Sequence, residues 1–478
     1  MPKHKQFISF NRYLISLLCV GIISGGSVYI IQKEIRLVEK NQAAQSVDER
    51  DELKKVHALY DEINNYYVGD VKKEELVEGA VKGMTDALDD PYSSYLNNEE
   101  ATNLTNSLSG SFEGIGAVVT MKNKQPTIAE TPIKDSPAEK AGLKAEDILL
   151  KVDGKETTGK TLDEVVSKIR GEKGSKVTLT ILRGEETFDV TLTRDTIPQS
   201  TVKSTIDKEN KTVGSIQITS FGEKTASELK EHIQSLRKKG ATSFIIDLRN
   251  NTGGLLDQVE EMSSMFLKDG KTIVQFSDKE GNQSKTVAGK ELDNGFKVKE
   301  PVAVLVNEYS ASASEIFAAA LNESADVPLI GTKTFGKGTV QTVRGLDEQS
   351  ELKLTVMKWL TPTGKWIHEK GIEPTIKATY PDYAFLNPIS REKTLKPGDS
   401  SEVVENVNQI LAALGYNTKG QEFDEQTETA VRKFQADHKL SVTGEIDDGT
   451  ATALEKALFT LIDENDNAYN SALEQLKK

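Results

Sequence analysis

The sequence holds one cysteine, two tryptophans and five histidines in 478 residues, and each shortage removes a class of chemistry. Cys19 stands alone, so a disulfide within the chain and a thiolate zinc site are both excluded. The histidines fall at positions 4, 57, 232, 368 and 438. His232 reads as a mid-helix residue among charges and His368 as part of a surface-like segment. No serine stands in a G-x-S-x-G frame, which argues against a Ser/His/Asp hydrolase with a nucleophile elbow. The net charge of −14 lacks the basic excess of a nucleic-acid binder. Apart from its start, a chain that is 37% hydrophobic and 28% charged reads as soluble and globular, and its length calls for several domains.

Residues 13–31, YLISLLCVGIISGGSVYII, carry no charge and are about long enough for a bilayer core of roughly 30 Å. Lys3, Lys5 and Arg12 precede them with no acid between. The positive-inside rule then places residues 1–12 in the cytoplasm and the remainder outside, with 13–31 as a transmembrane anchor. The rival is a cleaved signal peptide, for which Gly25, Gly26 and Ser27 supply small residues but no clean A-x-A site. A bacterial cell-membrane protein with its working part outside is the expectation. Residues 32–97 are charged with helical spacing until DDPYSSYL, where Pro91 breaks the pattern. These helices, and the acidic tail 461–478, are candidates for homodimer contacts.

Over 98–195 the punctuation changes to short strands divided by Gly, Asp and Pro. Leu162, Val165, Val166 and Ile169 share one helix face, and VTLTILRGEETFDVTLT reads as a hairpin turning at Arg183–Gly184. The order resembles a PDZ domain. In that fold the amides of Gly114, Ile115, Gly116 and Ala117 would form a nest for a chain-terminal carboxylate, and the peptide would add as a strand. Arg170, ending the helix, is a candidate contact to the ligand or to a neighbouring domain. Residues 196–388 alternate buried strands with helices, implying an α/β domain with a largely parallel sheet. Residues 389–460 resemble the small helical peptidoglycan-binding module of bacterial wall enzymes, in Val403, Val407, Ile410 and Leu414, then Thr427–Phe434, Gly444 and Thr450. A packing or dimerisation role for this module is the alternative.

The chemistry concentrates in two segments. In NEYSASASEIF, Ser312 precedes a helix and Glu315 lies three residues on, the spacing of a capping box. The same placement suits a nucleophile, because the positive helix end stabilises developing negative charge and the amide of Ala313 would face an oxyanion. A second donor is expected from DLRNNTGG, where Gly253 and Gly254 let a backbone approach closely and are not separable by sequence. In GTKTFGKGTVQ, Lys337 sits between glycines. Burial without a carboxylate partner depresses a lysine pKa, and Gln341 would accept from the amine without adding charge. Four residues of straight strand span about 13 Å, so the loop must bend for the two to meet.

SASASEIFAAAL followed by GTKTFGKGTVQ, with DLRNNTGG and WLTPTGKWIHEKGIEP, is similar to the carboxyl-terminal processing proteases, serine/lysine peptidases with an inserted PDZ domain. The likeness spans roughly 50–380. It implies a multidomain α/β protein with a crotonase-like core, in which Ser312 is the nucleophile, Lys337 the general base and Gln341 its positioning partner. It implies no metal and no cofactor, and protein substrates with exposed C-terminal tails. Two rival readings are weaker. Gly331 to Lys337 spells the start of a P-loop, but Gly338 replaces the magnesium-binding hydroxyl and a strand-like run follows. A non-catalytic scaffold holding tails and cell wall would have no need of Ser312 and Lys337.

Overall fold

The computed structural model describes residues 51–122, 124–347 and 350–477, in two compact units divided at Asp89/Asp90. The expected basic segment and anchor at 1–31, and the start of the helical region, lie outside the described residues. Among the described residues no helix is long and apolar enough to cross a membrane. In the first unit two helices, Lys54–Tyr66 and Lys73–Asp86, keep apolar side chains such as Leu59 and Met84 exposed.

The second unit begins inside the region expected to be helical. Ser94–Leu96 is a strand, paired antiparallel with Glu351–Leu360. The break at Pro91 therefore carries the chain into the smaller sheet of the α/β domain rather than merely ending a helix. Helix Asn98–Leu108 follows, closed by an Asn97/Glu100 capping box. The PDZ-like domain packs Ile115, Leu149, Val165, Ile169, Leu179 and Ile181 into one core. Its hairpin joins Lys176–Arg183 to Glu186–Thr193, and helix Leu162–Ile169 lies against the strands Val119–Lys122 and Ile148–Val152.

Among the described residues the main sheet of the α/β domain has six strands in sequence order. These are β1 (Val202–Ile206), β2 (Val213–Ile218), β3 (Ser243–Asp247), β4 (Val302–Val306), β5 (Leu329–Gly331) and β6 (Ile376–Lys377). Only β1–β2 is antiparallel; the others pair in parallel. Full burial on both faces explains why β3 and β4 read as unbroken apolar runs. Helices α1 (Thr225–Lys238), α2 (Leu256–Phe266) and α3 (Ala313–Ala325) share the apolar cluster on one face.

The opposite face is covered by an element the sequence had suggested as part of a tail. Helix α4 (Asn467–Gln475) buries Ala468 and Ala472 against Ile245, Ala303, Leu305 and Ile330. Residues 467–475 thus serve through their inner face as a layer of the α/β domain. The module expected at 389–460 is a separate core of Val404, Val407, Ile410, Phe423, Val431, Phe434 and Leu454, and its last helix runs on to Glu464. Buried Asn408 and Gln435 knit it: Thr427 Oγ1 donates to Asn408 Oδ1, and Gly444 N–H to Gln435 Oε1. Thr427 and Gly444 are therefore spent on the fold itself.

Candidate active site

The C-terminal ends of β3, β4 and β5 deliver the three loops that carry the expected residues, as parallel sheets commonly do. After β4 the chain turns sharply into α3 at Ser312, whose φ of 56° and ψ of −114° are unusual for a side-chain-bearing residue. Such backbone costs about 1–3 kcal/mol and persists only where its surroundings impose it. The result is an elbow without the G-x-S-x-G glycines. The small neighbours are instead tied down: Ser310 Oγ donates to Leu248 O (2.9 Å) and Ser314 Oγ to Asn251 O (2.8 Å). Both flanking serines are fully buried, leaving Ser312 as the one of the three not spent on packing.

The loop after β3 lies against this elbow. Ala311 N–H donates to Asn251 O (3.0 Å). A Cβ on Gly253 would fall 2.9 Å from Ser312 Cβ and 3.0 Å from Ala313 N, and one on Gly254 would fall 2.2 Å from Phe221 O. Both positions require glycine on space alone, and the structure now separates them. Gly253 N–H is already bound to Asn251 Oδ1 at 2.9 Å. The amides of Gly254 and Ala313 have no hydrogen-bond partner among the described residues.

Glu315 is the residue whose reach sequence reading missed. Its carboxylate is wholly buried and accepts four hydrogen bonds. Oε2 takes Ser312 N–H (2.8 Å) and Lys337 N–H (2.8 Å); Oε1 takes Thr334 Oγ1–H (2.6 Å) and Gly336 N–H (2.7 Å). One carboxylate therefore fixes the backbone of Ser312 and of Lys337 together. Burial pushes its pKa upward against these four donors. Glu315→Gln turns a donor toward two N–H or O–H groups that need an acceptor. We expect it to cost about 2–6 kcal/mol, at about 1–3 kcal/mol per unsatisfied buried group, and to cut turnover sharply. Urea denaturation beside steady-state kinetics checks both.

The Lys337 loop bends as required but does not bring its two expected partners together. Lys337 Nζ rests over the Tyr92 ring, 4.8 Å from its centroid, and shares no hydrogen bond with Ser312 or Gln341 among the described residues. Gln341 Nε2 instead donates to Thr339 Oγ1 (3.0 Å) and Thr355 Oγ1 (3.1 Å). The physical reason is a register shift between Val340 and Gln341, which places the side chain along its own strand pair. Burial is the leading cause that lowers the Lys337 pKa, helped by Lys353 and opposed by Asp90 and Glu315.

His368, read as part of a surface-like segment, in fact helps hold this loop. Its Nδ1 accepts Gly338 N–H (3.2 Å) while Trp366 stacks on its ring and donates Nε1–H to Gly338 O (2.9 Å). The P-loop-like glycines have packing reasons as well. A Cβ on Gly331 would sit 1.9 Å from Val306 O, and the strand Thr339–Gly345 follows where a P-loop needs a helix.

In the PDZ-like domain the carbonyls of Ile115 and Gly116 are held by Ala138 N–H (2.8 Å) and Ile133 N–H (2.9 Å). The amides of residues 115–117 are left without partners among the described residues. They line a groove of about 1030 Å³ that also includes Gly114, Val166 and Arg170. The Arg170 guanidinium lies over Phe112, 5.5 Å from its centroid. Thr219 and Ser220 line the same groove, directly before Phe221, whose N–H and C=O pair with Gly253 O and Leu255 N–H.

A serine elbow, free amides and a half-buried lysine on one α/β frame suit a peptidase, and comparison with known proteins agrees. Residues 212–378 match the model of peptidase family S41, residues 128–183 a PDZ domain and residues 400–454 a putative peptidoglycan binding domain. Residues 22–100 match the N-terminal domain of the activating protease CtpB. The chain is 46% identical over 426 residues to the carboxy-terminal processing protease CtpA of Bacillus subtilis, covering 89% of this chain and 90% of that one. It is 38% identical to a probable CtpA-like serine protease of Staphylococcus haemolyticus, over 98% and 94% of the two chains. A solved photosystem II D1 C-terminal processing protease aligns at 28% identity and a TM-score of 0.41, over 68% and 86% of the two chains. The chain belongs to peptidase family S41, and it is a serine-type peptidase with PDZ and peptidoglycan-binding-type domains.

Proposed function

We propose that this chain is a membrane-anchored extracytoplasmic endopeptidase that holds the C-terminal tail of a protein substrate in its PDZ domain and cleaves through Ser312 and Lys337. The observation that carries the reading is Glu315, whose fully buried carboxylate holds the amides of Ser312 and Lys337 together. In the free chain the lysine amine lies on Tyr92, so proton transfer needs a swing of its flexible stem toward Ser312. Catalytic hydrogen bonds often tighten only with substrate present. Gln341 Oε1 remains as an acceptor for the amine once it leaves the ring.

Ser312 Oγ then attacks the scissile carbonyl as Lys337 Nζ takes its proton, and the oxyanion lies against the amides of Ala313 and Gly254. The amine returns the proton to the leaving nitrogen, and water completes hydrolysis of the acyl-enzyme. The amides of 115–117 and Arg170 take the tail carboxylate, as Gly114 lets the chain run close. The uncharged run 13–31 with its basic flank supplies the anchor, and the module at 400–454 offers a hold on peptidoglycan.

The test is acid-quenched turnover followed by mass spectrometry. A tail-bearing peptide substrate is expected to leave its N-terminal fragment on the fragment containing Ser312. Turnover with no adduct there, or with one on another residue, would overturn the mechanism. Cell fractionation with external protease digestion checks the membrane placement.

A further inference from the structure

The C-terminal module is spliced into the catalytic domain rather than appended to it, and both of its connections meet at one arginine. The chain leaves β6 through Tyr380, builds the module, and returns through Asp466 into α4. Asn467 Nδ2–H donates to Thr379 O at 2.8 Å, joining the outgoing and returning strands. Arg249 Nη1 contacts Asp466 Oδ2 at 2.7 Å and donates to Tyr380 OH at 2.6 Å, while Tyr380 OH donates to Asp466 Oδ2 at 3.3 Å. Arg249 Nε and Nη2 grip Asp247 at 2.9 and 2.7 Å. The guanidinium and both carboxylates are largely removed from solvent, with side-chain exposures of 11 to 13%.

Arg249 stands at the entrance of the turn that approaches the nucleophile. Asn250 carries a φ of +62° and donates its N–H to Asn307 Oδ1 at 2.9 Å. Asn251 holds Gly253 N–H through its side chain and Ser314 Oγ through its carbonyl. Displacing Arg249 therefore strains the 248–254 turn, which is hydrogen-bonded to the serine elbow at Ser310, Ala311 and Ser314. A buried guanidinium that loses one carboxylate partner is left with poorly compensated charge, at a cost of about 3–5 kcal/mol, and Asp247 and Tyr380 alone then hold it.

We propose that Asp466 is a positioning residue for catalysis: through Arg249 it holds the oxyanion turn, so the return from the wall-type module completes the active site. The inference rests on the reading of Gly254 and Ala313 as oxyanion donors. Asp466 also caps α4, its Oδ1 accepting Tyr469 N–H at 3.0 Å, and this second duty can be separated from the first. Asparagine keeps Oδ1 as acceptor for the cap and puts an uncharged amide donor in place of Oδ2, the oxygen that faces Arg249 and Tyr380. Tyr469→Phe provides the control, since it removes a bond from the same helix to Asp207 Oδ2 (3.1 Å) without touching Arg249.

The experiment uses the full chain with a tail-bearing peptide substrate. Asp466→Asn is expected to lower kcat about 10- to 100-fold with KM unchanged, the loss expected of a slightly misplaced site. It should also weaken a peptidyl boronic acid, which mimics the tetrahedral state, while leaving affinity for an uncleavable tail peptide intact. Tyr469→Phe should lower the Tm and leave kcat near wild type, and Asp466→Glu should recover part of the lost kcat. Wild-type kcat in Asp466→Asn overturns the proposal. So does a kcat loss in Tyr469→Phe equal to that in Asp466→Asn, which would make α4 merely structural. If Ser312→Ala stays active, it is the underlying site that fails; an inactive Ser312→Ala beside an unaffected Asp466→Asn removes the clasp alone.

Discussion

A chain carrying Ser312→Ala is expected to lose peptide cleavage by on the order of 10⁴-fold or more, and to bind a tail peptide as tightly as the wild type. The size of the loss follows from losing the attacking atom itself, since what remains of a serine hydrolase is the binding and oxyanion contribution. Retained tail binding follows from the architecture. The PDZ-like domain keeps its own apolar cluster, separate from the cluster around α3. The fold should also survive, because Ala311 and Ser314 hold the elbow through Asn251 regardless of the Ser312 hydroxyl.

A companion variant makes the strain visible. At a φ of 56° a glycine is at home and a side chain is not, so Ser312→Gly should be as inactive as alanine yet more stable by about 1 kcal/mol. Calorimetry beside a cleavage assay reads both effects. Tail binding and cleavage unchanged in Ser312→Ala would instead make this chain a peptide-tail scaffold with its serine spent on helix capping.

What could be read from the residues alone was whatever depends on neighbours in sequence. The apolar runs of β2, β3 and β4 announce buried strands, and the hairpin between Lys176 and Thr193 shows in its alternation and its Arg183–Gly184 turn. The two candidate segments were likewise visible, because the residue types at 312, 337 and 341 are unusual in their spacing. What stayed hidden depends on distant pairing. Glu315 looked like a cap because its nearest partner is Ser312, whereas its other three donors lie 19 to 22 residues away. Gln341 looked able to reach Lys337 because a one-residue register shift leaves no mark in the sequence. Helix α4 looked like part of an acidic tail, for its two buried positions are alanines, which carry little hydrophobic signal, and Asp466 at its start meets an arginine more than two hundred residues earlier. The two glycines of DLRNNTGG became distinguishable only once the Asn251 side chain was seen holding one of the amides.

Replacing the amine of Lys337 should silence the enzyme nearly as deeply, and the shape of its pH dependence should identify the reason. Lys337→Met keeps the apolar stem and removes the proton acceptor, for an expected loss in kcat of about 10²–10⁴-fold, the usual contribution of a general base. Lys337→Arg should be no better, since a guanidinium does not give up its proton in a protein. In the wild type, burial favours the neutral amine, so its pKa lies below the ordinary 10.5. A base works deprotonated, hence kcat/KM must rise with pH through that lowered value and level off above it. Tyr92 pulls the other way: its ring face, 4.8 Å from the nitrogen, stabilises the cation and raises the pKa. Tyr92→Leu, which lacks the π face, should therefore move the rising limb toward lower pH, by about 0.7–1.5 units for a cation–π contact worth about 1–2 kcal/mol. Tyr92→Phe should leave it in place. A rising limb that stays put in Tyr92→Leu, or that survives in Lys337→Met, would assign the titration to another group and strip Lys337 of its role as base.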